Sequence, residues 1–103
     1  MTGKITSVRG GAGGSHPAVK PGPSQSVAFT GVSAQIGAAI GSTVARFVST
    51  SDCFLAFGAN PTASASGIFL PAGKPEYFVC APTDKVAAIQ ASAGGTLYVT
   101  PAL

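Results

Sequence analysis

From residue 25 onward the apolar positions fall in short runs, each closed by residues that favour turns. "SVAFT" (26–30) stops at Gly31, "TVARFVS" (43–49) at Thr50-Ser51-Asp52, and "CFLAFG" (53–58) at Asn60-Pro61. "GIFL" (67–70) stops at Pro71-Ala72-Gly73, "EYFVC" (76–80) at Pro82, "KVAAIQA" (85–91) at Gly94-Gly95, and "TLYVT" (96–100) at Pro101. Runs of this length, rich in β-branched and aromatic residues and punctuated by Gly, Pro, Asn and Asp, predict seven strands. Turn signals this close together fit an antiparallel sandwich or small barrel.

In "CFLAFG" Cys53, Leu55 and Phe57 take one face of the strand and Phe54 and Ala56 the other, so both faces are apolar. Such a strand is covered on both sides. In a domain this small the second cover is expected from another subunit. The same need runs through "FLAFGANPTASASGIFLPAG" (54–73), twenty residues without one charge. One stretch tests the strand reading: Ile36, Ile40 and Val44 recur at helical spacing. Gly37 and Gly41 lie between them, each costing a helix interior about 1 kcal/mol relative to Ala, so strand or loop is expected there.

Composition divides the chain near residue 24. Residues 1–24 hold six Gly, three Pro and no aromatic, and their charges, Lys4, Arg9 and Lys20, are all positive. So little apolar surface cannot offset the entropy of ordering, which predicts an extended Gly/Pro-rich basic arm. In 25–103, Arg46, Lys74 and Lys85 balance Asp52, Glu76 and Asp84, so the net charge of +3 belongs to the arm. With 103 residues there is room for one domain, and only 9% of them are charged, far below the usual quarter. A surface so poor in charge is expected to meet other protein.

Chemistry finds few candidates. "GGAGGSHPAVK" lacks the spacing of a phosphate-binding loop, and Lys20 is followed by Pro21 rather than Ser or Thr. Asp52, Asp84 and Glu76 sit where turn-capping or solvated acids usually sit. Cys53 and Cys80 lie in apolar runs and His16 in the arm, which supplies neither a tetrahedral metal site nor a nucleophile with its base. Two buried, reduced thiols are expected instead. No catalytic, cofactor-binding or metal residue is assigned, and no enzyme is expected. Three cations spread over the arm are a weak nucleic-acid signal, so nucleic-acid binding is not expected. Residues 21–45 are uncharged but broken by Pro21, Pro23, Gln25 and Gln35, so no membrane span is expected. The residues after Lys4 and Arg9 are glycine-rich where a signal peptide would be apolar, and export is not expected.

Residues 44–100 resemble a family of small structural proteins of tailed bacteriophages. The marks are "VSTSDC" leading into a strand, "AFGANPTA", "FLPAG" with "PEYF" close behind, and the closing "DKVAAIQASAGGTLYVT". The resemblance implies a β-rich virion component, most specifically a capsid decoration (cement) protein that bridges subunits of the major capsid protein. A head-to-tail joining or tail-associated protein is the alternative. It implies no catalytic residue.

The expectation is therefore an all-β chain, a small antiparallel β-sandwich or jelly-roll-like barrel over 25–103, with an extended N-terminal arm over 1–24. It would be made in the host cytoplasm, reside in the virion capsid, and associate with the major capsid protein and with itself, a trimer being one such form. Candidate contacts are Lys4, Arg9 and Lys20 on the arm and Asn60, Pro61 and Pro71 in the rigid turns.

Overall fold

The computed structural model describes residues 5–9 and 15–102, with side chains from residue 20 onward. Among these residues there are ten strands and no helix: β1 Ile5–Arg9, β2 Ser15–Val19, β3 Gln25–Phe29, β4 Ala34–Gln35, β5 Val44–Ser49, β6 Cys53–Gly58, β7 Ile68–Leu70, β8 Glu76–Val79, β9 Lys85–Gln90 and β10 Gly95–Pro101. The seven expected strands are all present, each within a residue of its expected ends. An eighth, β4, is only two residues long, too short to leave an alternating pattern.

β3 to β10 form two four-stranded antiparallel sheets, sheet I in the order β3-β10-β5-β8 and sheet II in the order β4-β9-β6-β7. Their pairing is nested. β6 pairs with β7, the flanking β5 with β8, and outside them β4 with β9 and β3 with β10. Folding that doubled ribbon over on itself places alternate pairs in opposite sheets.

Alternation then fills the space between the sheets. Phe29, Ala45, Phe47, Leu97 and Val99 from sheet I meet Cys53, Leu55, Leu70, Val86 and Ala88 from sheet II, all buried. Burying each of the larger apolar side chains contributes about 1.5–3 kcal/mol. Toward β8 the interior is aromatic: Phe47 stands edge-on to Phe57 at 5.3 Å, and Phe78 lies 5.4 Å from Phe47 and 5.8 Å from Phe57. Such pairs add to area burial because ring edges and faces carry opposite partial charge.

Ile36 and Ile40, the residues at helical spacing, are both buried, but along an irregular segment. Ile36 N–H donates to Val86 O at 3.0 Å and Ile40 N–H to Asp84 O at 2.7 Å, so the segment runs beside the start of β9 without joining its ladder. A single side chain secures it. Gln25 Nε2 donates to Ala38 O and Ala39 O, both at 3.2 Å, while its Oε1 accepts Ala38 N–H at 3.1 Å. Gln90 N–H donates to Thr30 O at 2.9 Å on the same side of the sandwich. The β3/β4 side is therefore tied together by hydrogen bonds, and β8 and β7 end the two sheets on the other side.

β1 and β2 pair antiparallel with each other, from Ile5 opposite Val19 to Arg9 opposite Ser15. The described residues of the expected arm thus run out and back, so any reach they provide is about half that of a single extended path of the same length. The sandwich's own bonding starts before residue 25: Pro21 bridges Ala102, and Gly22 N–H donates to Pro101 O at 2.8 Å.

Candidate interaction surfaces

Because side chains alternate across a strand, each outward face can be read from the register. On sheet I the outward residues include Tyr98 opposite Val48, Thr100 opposite Arg46, Arg46 opposite Tyr77, and Val44 opposite Val79. Tyr77, Tyr98 and Val79 are exposed, Val79 to 84%. Arg46 has no ion-pair partner among the described residues. The face thus combines two tyrosines, aliphatic groups and one cation, with no acid directed outward along it, a composition enriched in protein interfaces.

Sheet II is covered differently. The connection from β6 to β7, residues 59–67, folds back over its outer face as far as the edge strand β4. Asn60 Oδ1 accepts Gln35 Nε2–H at 3.0 Å, and Ala63 N–H donates to Ser33 Oγ at 2.8 Å, leaving Ala63 only 3% exposed. Beneath it, on the outward face, Ala87 is fully buried. The return into β7 demands glycine. Gly67 N–H donates to Ser64 O at 2.9 Å, and a Cβ on Gly67 would come within 2.5 Å of Leu55 O. The second cover expected for β6 is therefore supplied in part by this chain. Beyond the loop Phe54 packs on Phe69, ring centroids 5.5 Å apart, and Phe69 stays half exposed.

The expected contact residues do not converge. Lys4 lies outside the described residues; Arg9 pairs with Ser15 in the β1–β2 hairpin, and Lys20 is exposed just after it. Asn60 and Pro61 follow the last residue of β6 and belong to the loop over sheet II. Pro71 lies at the opposite end of that strand, where Cys53 pairs with Leu70. Its turn is closed by Lys74 N–H to Pro71 O at 3.4 Å, with Gly73 at φ +71°, a conformation that favours glycine. Asp52 Oδ1 accepts Ala72 N–H at 2.8 Å and so holds this turn to the β5–β6 connection. Asp84 Oδ2 accepts Ala81 N–H at 3.1 Å within its own turn. Both acids act as turn caps.

Both cysteines are free; Cys53 is buried in sheet II, and Cys80 is half-buried just past β8, its thiol donating to Ser42 O at 3.3 Å. Burial pushes both thiols above their ordinary value. For Cys53 a hydrogen bond with Ser49 opposes the shift and the Asp52 charge adds to it; for Cys80 the Asp84 charge adds to it. Thiolate formation is disfavoured at both, the reverse of an activated nucleophile. No cluster of three or more metal-ligating side chains occurs among the described residues. A groove of about 480 Å³ at the laced side, lined by Pro23, Gln25, Ala38, Ile40 and Pro101 among others, has the Gln25 carboxamide on its wall. That group is already committed to backbone partners.

Tyr77, Val79, Phe69 and Arg46 were not among the sequence-derived contacts. Alternation within "EYFVC" separates Tyr77 and Val79 from Phe78, but which set points outward depends on the sheet they join.

The fold and these surfaces define an all-β sandwich of two four-stranded antiparallel sheets with apolar groups exposed along one side. Compared with family models, with curated proteins and with solved structures, the chain matches none.

Proposed function

We propose that this chain is a structural virion protein of a tailed phage, a capsid decoration (cement) protein that stabilises the head by bridging subunits of the major capsid protein. The observation that carries the reading is where the exposed apolar groups lie: Ile68, Phe69, Tyr77 and Val79 are four of the six large exposed hydrophobics among the described residues, and all four sit on the edge strands β7 and β8. An apolar ridge on a small, charge-poor body suits docking on protein. The nested strand order supports the reading by analogy of fold, since a double-sheet jelly roll has this order and recurs in viral capsid domains, although it also serves lectins and cupins. The resemblance of residues 44–100 supplies the phage context.

In this reading the Phe54–Phe69 patch and the turn at Pro71 rest on the capsid lattice. Asn60 and Pro61 hold the loop that shapes the neighbouring surface, and the cations Lys4, Arg9 and Lys20 bring the N-terminal segment to a neighbouring subunit. The protein associates with itself as well as with the major capsid protein, as a trimer or another closed form. Synthesis is in the host cytoplasm and residence in the virion; no membrane, cofactor, catalysis or nucleic acid enters the mechanism.

Quantitative mass spectrometry of purified virions tests it. A copy number comparable with that of the major capsid protein, or with its symmetry-related junctions, is expected. A handful of copies per particle would instead assign the chain to head-to-tail joining or the tail, and absence from virions would overturn both.

A further inference from the structure

β8 ends sheet I, and its outer edge is open. Its pairing with β5 runs without a bulge from Val44 opposite Val79 to Phe47 opposite Glu76, and Cys80 N–H donates to Thr43 O at 2.8 Å. In an antiparallel ladder the peptide groups of successive residues point to opposite sides. The bond from Cys80 therefore fixes the pattern: the peptide groups of Glu76, Phe78 and Cys80 face β5, while those of Tyr77 and Val79 face outward. No backbone or side-chain hydrogen bond reaches the outward pair from any described residue. Sheet edges are normally blunted by a proline, an inward charge, a lysine or a bulge. β8 is short and carries Glu76 on its inward side, opposite Phe47, but it has no lysine or bulge, and its prolines, Pro75 and Pro82, stand outside it.

We propose that β8 pairs antiparallel with β8 of a second copy across a two-fold axis, joining two sheets I into one continuous eight-stranded sheet. The register follows from the outward peptide groups. Tyr77 of each copy exchanges hydrogen bonds with Val79 of the other, which centres the axis on Phe78. The edge is self-complementary in side chains as well. On the outer face Tyr77 lies opposite Val79 twice, two aromatic–β-branched pairs of the kind that stabilises sheets. On the inner face Phe78, already packed against the core, meets Phe78 of the second copy. Charge does not oppose the contact: Glu76 falls opposite Cys80 and Lys74 opposite Pro82, so no like charges face each other across the seam.

Area sets its strength. Four residues of edge fall short of the roughly 800 Å² per partner of a stable complex, so the dimer is weak in dilute solution and fills as concentration rises. The contact closes with two copies, because a β8 edge used once has no free edge left. This pairing stands on the geometry of β8 and not on the capsid reading. A dimer formed by a protein absent from virions would leave it intact.

Sedimentation of the full chain over a concentration series, with amide exchange followed residue by residue, tests the pairing. The expected result is a monomer–dimer equilibrium in which the Tyr77 and Val79 amides exchange at least about tenfold more slowly as dimer accumulates, while those of Phe78 and Cys80, already bonded to β5, change little. Val79→Pro removes one outward N–H and leaves the β5 ladder intact, so it should fold and stay monomeric. Tyr77→Lys, which places a charge on the edge, should do the same if the proline variant is poorly folded. Val32→Lys, at an exposed position in the β3–β4 connection, should leave dimerisation unchanged. A chain that is monomeric throughout, a dimer that survives both edge variants, or Tyr77 and Val79 amides indifferent to concentration would each overturn the proposal.

Discussion

The two sides of the sandwich solve the same problem in opposite ways. On the β3/β4 side the Gln25 carboxamide holds the irregular segment at Ala38 and Ala39, Gln90 bonds across the gap to Thr30, and that segment carries Ile36 and Ile40 into the core. On the β7/β8 side the interior is an aromatic cluster, and the edges keep their peptide groups and apolar side chains in the open. Polar lacing is directional and draws on groups of one chain. Aromatic packing tolerates an open border, which a neighbour can extend. The difference teaches that closure here follows where hydrogen-bonding side chains are spent, since both sides are apolar inside.

Removing the aromatic support should have the largest effect on this contrast. Phe47 touches both Phe57 and Phe78, and Phe47→Ala is expected to cost about 3–5 kcal/mol, a large share of the stability of so small a domain. Denaturant unfolding checks the magnitude, and faster amide exchange in β8 than in β3 would show that the open side loosens first. A variant that loosens β3 first would break the comparison.

Next comes Gly67. A methyl group there meets the Leu55 carbonyl oxygen and must push the 59–67 loop off sheet II, so Gly67→Ala should cost about 1–3 kcal/mol. Its thermal transition should fall, and amide exchange at Ala63 should quicken as the bond to Ser33 lengthens. On the laced side, Gln25→Ala leaves the Ala38 N–H and two carbonyl groups to water. A loss of about 1–2 kcal/mol is expected, with faster exchange at Ala38 and none of the change at β8.

The smallest effect concerns pH. Both thiols are shifted upward by burial, so below the ordinary thiol value of 9.0 they are protonated in folded and unfolded chains alike and contribute no pH dependence. Above it the unfolded chain ionises first and binds fewer protons than the native one. Stability should then fall as pH rises, until the folded thiols titrate too. Replacing both cysteines by Ser or Ala should flatten that alkaline decline. Native alkylation near neutral pH should be slow at both, and slower at Cys53, which is fully buried.

Much of the fold could be read from the chain because strands of five to seven residues write their own alternation. "CFLAFG" and "KVAAIQA" became β6 and β9 almost unchanged. β4 could not be read, since Ala34–Gln35 has no period and exists only because Ala88 and Ala87 lie beside it. Surfaces were harder. Asn60 and Pro61 have the composition of an exposed docking turn, yet the Asn60 side chain bonds to Gln35, a partner remote in sequence. Tyr77 and Val79 gain their interest from the free edge of β8, and an edge is a property of strand order. Nothing local to "EYFVC" distinguishes a border strand from a central one. The acids were legible for the opposite reason: Asp84 caps a turn of its own neighbours, where sequence and space coincide.

The nested pairing also governs how the sandwich can come into being. β6 and β7 close the shortest loop, and each pair outside them joins strands already drawn together by the pair within, until Gln25 meets Val99 across nearly the whole sandwich. Closing a loop costs less when its interior is already ordered, which favours assembly from the innermost ribbon outward. The outermost contacts, remote in sequence, make the process slow for so small a chain, in the millisecond-to-second range of β-rich domains. Slowing of refolding by mild truncations at Leu55 or Leu70, with truncations at Val27 or Val99 acting mainly on the unfolding rate, would reveal that order; equal effects on the refolding rate at all four positions would exclude it.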